Sequence, residues 1–253
     1  MNLKSKAALV TGGAKRIGRA ICLRLGAEGV NVAFSYLTSA SEAQETLAVL
    51  RGLGVEAAAI KADLTVPDDW DTLIGEATGA LGSVDILVNN ASDFPRTPLE
   101  ELAADKARFL DVFGELARIH MEAPLYLGMR LGLQMKKKGW GRIINITDRV
   151  AQSGQAYKKW SIYIATKYGL RGVTQALAEE LAPEVSVNSV APGLVVPPEW
   201  FPRGEVQRLI DRIPLRSSAD PEEIAEDVLH LVRSRAKTGS AIVTDGGVSL
   251  HGH

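Results

Sequence analysis

Tyr163 and Lys167 stand four apart in YIATK, and residues at that spacing on a helix share one face. An ammonium beside a phenol favours the phenolate and lowers the phenol pKa from its free value of about 10, which makes Tyr163 a tunable proton donor. Taken alone, such a pair is common on helices and is usually structural. A third titratable group gives it context. The run IINITDRV (143–150) opens with the Ile residues of a strand buried on both faces, which then leads into the carboxylate of Asp148. A carboxylate at a strand end can cap the next turn, and a carboxyl can also hold a proton for transfer.

A different chemistry is written into TGGAKRIG (11–18). Glycines at 12, 13 and 18 let backbone N–H groups approach an anion, and a helix following directly adds the partial positive charge of its N-terminus. The spacing is not GxGxxG, because Ala14, Lys15, Arg16 and Ile17 separate the Gly pair from Gly18. At the end of the next β-rich run, where an acid would hold a ribose 2′-hydroxyl, stand Ser35, Tyr36, Leu37, Thr38 and Ser39, with no acid before Glu42. Cations in the turn, and hydroxyls where a carboxylate would repel phosphate, favour NADP(H) over NAD(H). The alternative is that Lys15 and Arg16 only face solvent.

These residues need strands and helices to bring them together. Short β-rich runs at 7–12, 30–36, 55–63, 84–91, 142–147, 185–193 and 240–247 alternate with amphipathic stretches, including one long helical stretch from about Leu99 to Lys138. Alternation of this kind predicts an α/β, doubly wound, seven-stranded parallel sheet with helices on both faces, as one domain over 1–253. The cofactor half spans about 1–150 and the catalytic and lid half about 151–253. Asp220, Pro221 and Glu223 form a helix start, with the acid at the N-cap and Pro in the first turn.

Composition narrows the function. The chain has 253 residues, 46% hydrophobic and 23% charged, with a formal charge of −1 that offers no basic field for nucleic acid. Lys136 to Lys138, followed by Gly139, reads as a solvated helix end. Cys22, the one cysteine, falls on an apolar face and reads as core, so neither a disulfide framework nor a thiol metal site is expected. Two of the four histidines lie in the terminal HGH, which is too short for a metal tract, and no metal is expected. No secretory segment or apolar run of about 18 residues is found, so the expectation is a soluble cytoplasmic protein with no membrane partner.

Taken in order, TGGAKRIG, ADL (62–64), VNNAS (88–92), RIINITD, YIATK and VNSVAPG (187–193) resemble the short-chain dehydrogenase/reductase family over essentially the whole chain. AKRIG, NNAS, and Asp148 in the family's usual Ser position are similar to the pteridine reductases; ELAPEVSVNSVAPGL and ARIHMEAPLYL look most like the dihydromonapterin reductase branch. The resemblance implies a cofactor site of Gly12, Lys15, Arg16, Ile17 and Gly18 in the turn, with Tyr36, Thr38 and Ser39 after the second strand. It adds Asp63 and Leu64 beside the adenine, then Asn90, Ala91 and Ser92, then Thr147, Tyr163, Lys167, Pro192 and Gly193. It also implies that Tyr163 and Asp148 deliver a proton to a ring nitrogen, while Lys167 binds the nicotinamide ribose and tunes the phenol. Asp148 thereby suggests a C=N bond, hence an NADPH-dependent reductase of a dihydropterin or folate substrate.

By the same resemblance, Phe94 stacks on a pterin ring, although it could merely cover a loop, and Arg16 and Ser92 reach the substrate. The segment LVVPPEWFPRGEVQRL (194–209) resembles the family's substrate lid, with Trp200 and Phe201 as wall residues. Two departures stand out. The family's helix Asn falls at His120, which could serve a relay or be a core residue, and the 15 residues from Asp148 to Tyr163 exceed the usual spacing, so a re-routed loop could bring Ser153 to the site instead. The rival functions are a carbonyl reductase such as a 3-oxoacyl-thioester reductase, and a non-catalytic NADP(H)-binding protein. Self-association as a homotetramer is expected by analogy.

Overall fold

A computed structural model describes residues 1–154, 156, 158–195 and 203–250. The β-rich runs form strands β1 (Ala7–Val10), β2 (Asn31–Tyr36), β3 (Ala57–Lys61), β4 (Ile86–Asn89), β5 (Gly141–Ile146), β6 (Val185–Pro192) and β7 (Ala241–Thr244). They pair side by side, all parallel, in the order β3-β2-β1-β4-β5-β6-β7. Every residue of β1, β4 and β5 is buried, as strands covered on both faces must be.

Helices α1 (Arg16–Ala27), α2 (Ala40–Gly52), α3 (Asp68–Leu81), α4 (Leu99–Ala104), α5 (Lys106–Ala117) and α6 (Ala123–Lys137) precede β5. Following it are α7 (Val150–Ser153), α8 (Ser161–Leu181), α9 (Arg203–Ile210) and α10 (Pro221–Arg233). Successive residues of β1 show how the helices divide. Ala8 and Val10 point to a core shared with Ile21, Cys22 and Leu25 of α1 and Val228 of α10, whereas Leu9 points to Leu73 of α3, Leu127 of α6 and Leu177 of α8. At the start of α10, where the sequence predicts a helix start, the Asp220 N–H donates to Glu223 Oε2 at 2.9 Å in a capping box.

The long helical stretch is where structure and expectation differ. Asp105 takes an extended φ of −135° and its side chain accepts from the Arg108 N–H at 3.0 Å, so it ends α4 and caps α5. A π-helical turn, Arg118–Glu122, then joins α5 to α6. Neither α7 nor α9 was expected. Among the described residues, no helix is long and apolar enough to cross a membrane.

In this strand order the chain reverses its direction of progress at β1, whose neighbours are β2 and β4. Such a switch point leaves a crevice outside the carboxyl ends of the strands. Thr11, Asn90, Thr147 and Gly193 all follow strand ends there.

Candidate active site

The glycine turn is built for close approach. Gly12 takes φ +66°, a region that side chains other than Gly rarely adopt. A Cβ on Gly18 would lie 2.0 Å from the Gly12 carbonyl oxygen, so α1 can pack this near the turn only with Gly at its start. The α1 N-terminus carries no acid in its first turn, and Lys15 sits at the N-cap. Ser35 holds the turn from beneath: its hydroxyl accepts from the Gly12 N–H at 3.1 Å and its carbonyl accepts from the Gly13 N–H at 2.9 Å. The turn so fixed lines the cleft together with the start of α1, whose N-terminus suits an anion such as a pyrophosphate.

Asn90 has a further task that its motif does not reveal. Its Nδ2 donates to the carbonyls of Thr11 (2.9 Å) and Gly12 (3.1 Å), and the Thr11 hydroxyl accepts from the N–H groups of Asn90 (2.9 Å) and Ala91 (3.0 Å). The NNAS loop is thus tied to the glycine turn across the crevice.

The three titratable groups Asp148, Tyr163 and Lys167 meet at the end of β5. The Tyr163 hydroxyl donates to Asp148 Oδ2 at 2.9 Å, and Asp148 Oδ1 accepts from the Val150 N–H at 2.9 Å. Asp148 therefore both caps the α7 turn and holds the phenol. Lys167, buried at 2% exposure, lies on the same face of α8, its Nζ 5.6 Å from the Tyr163 ring centre and donating to the Ile146 carbonyl at 3.0 Å. Burial lowers the Lys167 pKa from 10.5 to about 8, with the Asp148 charge pulling the other way.

Behind this group lies a chain of hydroxyls and an imidazole. His120, wholly buried in the π-helical turn, has Nδ1 at 2.8 Å from Thr166 Oγ1 and Nε2 at 2.8 Å from Ser92 Oγ. The Thr166 hydroxyl donates to the Tyr163 carbonyl at 3.0 Å, so its oxygen takes the proton of His120 Nδ1, and Nε2 accepts from Ser92. With its hydrogen so committed, Ser92 offers the cleft an acceptor. Burial, then the Lys167 charge, hold the His120 pKa well below 6.5. The unfolded imidazole binds a proton below 6.5 and the folded one resists it, so stability declines as pH falls through that value. The urea midpoint is expected to drop between about pH 7.5 and 5.5 and to drop less in His120→Asn; equal slopes would rule out His120 as the cause.

Phe94 stacks on Trp160 with centroids 4.9 Å apart and planes 10° from parallel, and meets the Tyr163 ring edge-on at 4.6 Å. Phe94 thus packs on its neighbouring rings and also lines the cleft. Trp160 was not singled out from sequence, although an aromatic three before Tyr163 at the head of a helix was the available signal.

The cleft itself measures about 2060 Å³ and is lined by every residue that the sequence assigns to catalysis, cofactor or substrate. Ser153, at the end of α7, lines it too, but the phenol is bonded to Asp148. Trp200 and Phe201 lie outside the described residues.

The family model described as short chain dehydrogenase matches residues 6–201. The 3-oxoacyl-[acyl-carrier-protein] reductase FabG of Staphylococcus epidermidis is 34% identical, covering 97% of this chain and 100% of that protein. A glucose and ribitol dehydrogenase homolog of Oryza sativa subsp. japonica is 32% identical, covering 99% and 88%. Among solved structures, FolM alternative dihydrofolate reductase 1 from Brucella canis, complexed with NADP, superposes with a TM-score of 0.90 at 28% identity, covering 100% of this chain and 97% of that one. A blue fluorescent protein from a metagenomic library, in complex with NADPH, gives 0.88 at 33%, covering 98% and 99%.

Proposed function

This chain belongs to the short-chain dehydrogenase family, and from that premise we propose that it is an NADPH-dependent reductase of the C=N bond in a dihydropterin-type ring. The observation that carries the reading is the 2.9 Å hydrogen bond from the Tyr163 hydroxyl to Asp148. The NADP and NADPH complexes of the two similar structures support the cofactor, as does the turn with Lys15 and Arg16 facing a β2 end without acid.

NADPH, when bound, supplies the hydride. Gly12, Ile17, Gly18 and the α1 N-terminus would hold its pyrophosphate, Lys15 and Arg16 with Tyr36, Thr38 and Ser39 its 2′-phosphate, and Asp63 and Leu64 its adenine. Asn90, Ala91, Thr147, Pro192 and Gly193 would line the nicotinamide end, with Lys167 on the ribose hydroxyls. Tyr163 and Asp148 share one transferable proton and give it to the ring nitrogen as the neighbouring carbon is reduced; the Lys167 charge stabilises the phenolate left behind. Phe94 would stack on the flat ring, and Ser92, fixed as an acceptor, would take one of its N–H groups. Arg16 would reach both phosphate and substrate.

The identity to the Staphylococcus enzyme favours a second reading, reduction of a 3-oxoacyl thioester. Against it stands the Asp148 carboxylate, which would face the oxyanion developing from a ketone. NADPH oxidation with dihydrobiopterin, dihydrofolate and an acetoacetyl thioester separates the two. Asp148→Ser is expected to lower dihydropterin turnover about 30-fold and to spare or raise thioester turnover. Full dihydropterin activity in that variant would reject the role given to the carboxylate. For self-association, the exposed Phe109, Leu110 and Phe113 of α5, with Leu125, Met129 and Leu133 of α6, support the tetramer expected by analogy.

A further inference from the structure

In a chain of net charge −1, the cleft is lined by eight Lys and Arg against four Asp and Glu. Lys15, Arg16 and Lys167 serve the cofactor end, and Arg149 interacts with Asp245. That leaves Arg96, Lys159, Arg208 and Arg212, none of which makes an ion pair with a carboxylate among the described residues. The Arg96 side chain and the Lys159 backbone are held beside the aromatic wall. The Thr97 N–H donates to the Lys159 carbonyl at 2.6 Å, closing a parallel bridge between Thr97 and Trp160, and the Arg96 guanidinium lies 5.7 Å over the Trp160 ring that stacks on Phe94. The cations thus begin one ring further out than Phe94. Of the cleft's acids, Asp93 turns an oxygen to its own loop, accepting from the Phe94 N–H at 2.7 Å. Space is ample, since about 2060 Å³ is roughly twice the upper end of the usual small-molecule site.

We propose that this end of the cleft is a second subsite, for the carboxylates of a substrate tail, with Arg96 and Lys159 as its arms, and with Arg208 of α9 and Arg212 just after that helix, which line the same cleft, adding to the field. The inference rests on the dihydropterin reading and deepens it: the substrate is a dihydropterin of the folate kind, whose ring carries an aminobenzoyl-glutamate tail with two carboxylates. Cations lining a concave wall focus potential and raise the local concentration of an anion. All four are solvent-exposed, so each contributes modestly and the contribution is screened by salt. Their place inside the cleft suits a small dicarboxylate better than an acidic carrier protein, which would need them on the outer face.

The test is kcat/KM of the full chain at saturating NADPH, with dihydrofolate against dihydrobiopterin, whose side chain is uncharged. The Arg96→Gln/Lys159→Gln double variant is expected to lose about tenfold on dihydrofolate, through KM, and to stay within about twofold on dihydrobiopterin. Added salt should raise the wild-type KM for dihydrofolate and leave that for dihydrobiopterin unchanged. An equal loss on both substrates, or no loss on dihydrofolate, overturns the tail subsite and leaves dihydropterin reduction standing. No turnover of either pterin overturns both readings. A loss confined to an acyl thioester on its carrier protein overturns the subsite too and assigns the cations to carrier docking.

Discussion

Tyr163→Phe is expected to lower kcat for dihydropterin reduction about 1000-fold, the upper part of the range for removing a positioned proton donor. The change is confined to one oxygen. A Phe ring keeps the edge-on contact with Phe94 and the burial against α5 and its neighbours, since those contacts involve ring carbons. NADPH binding, followed by the quenching of intrinsic fluorescence, should stay within about threefold, because the phenol is one of many groups lining the cofactor end. The structural cost is the loss of one donor to Asp148, about 1 kcal/mol, which leaves the protein folded. If kcat fell less than tenfold, the proton would have to come from elsewhere, and Ser153 would be the first group to test.

What the sequence made legible was whatever depends on near neighbours. The glycine turn is a steric requirement: a Cβ at Gly18 meets the Gly12 carbonyl six residues away, so the constraint is written within TGGAKRIG itself. Tyr163 and Lys167 share a helix, and β1 declares burial on both faces by its unbroken apolar run, as do β4 and β5 by the Ile, Leu and Val that dominate them. The roles that sequence left open depend on distant partners. His120 could be placed as a relay or a core residue, and only the fold sets it between Ser92, 28 positions before it, and Thr166, 46 after it. Asn90 is spent on the glycine turn 78 and 79 positions away, a use invisible in VNNAS. The break in the helical stretch was written locally in Asp105 but outweighed by the apolar periodicity around it. The π-helical turn has no comparable local mark.

Lys167→Met is expected to give a protein that is more stable and nearly inactive. The ammonium is buried, and burial disfavours its charged form enough to bring the pKa from 10.5 to about 8. Below pH 8 both folded and unfolded chains carry the proton, so the full cost of a buried charge weighs on the fold. Between 8 and 10.5 the unfolded chain keeps the proton and the folded one releases it, so stability rises with pH and the cost is relieved by the upper value. Met fills a similar volume without charge, which offsets the lost hydrogen bond to the Ile146 carbonyl. Urea unfolding without added NADPH should therefore show a gain of about 1–2 kcal/mol at pH 7, with an unchanged m value and a gap that closes toward pH 10.5. Turnover should fall about 100-fold, because the phenolate formed at Tyr163 loses the buried ammonium one turn along α8, and wild-type kcat should itself decline as pH rises through about 8. A variant destabilised at pH 7 would show that the Ile146 contact outweighs the buried charge, making Lys167 a support of the fold. A stabilised, inactive one would place it among groups kept at a cost in stability because the proton transfer needs a charge there.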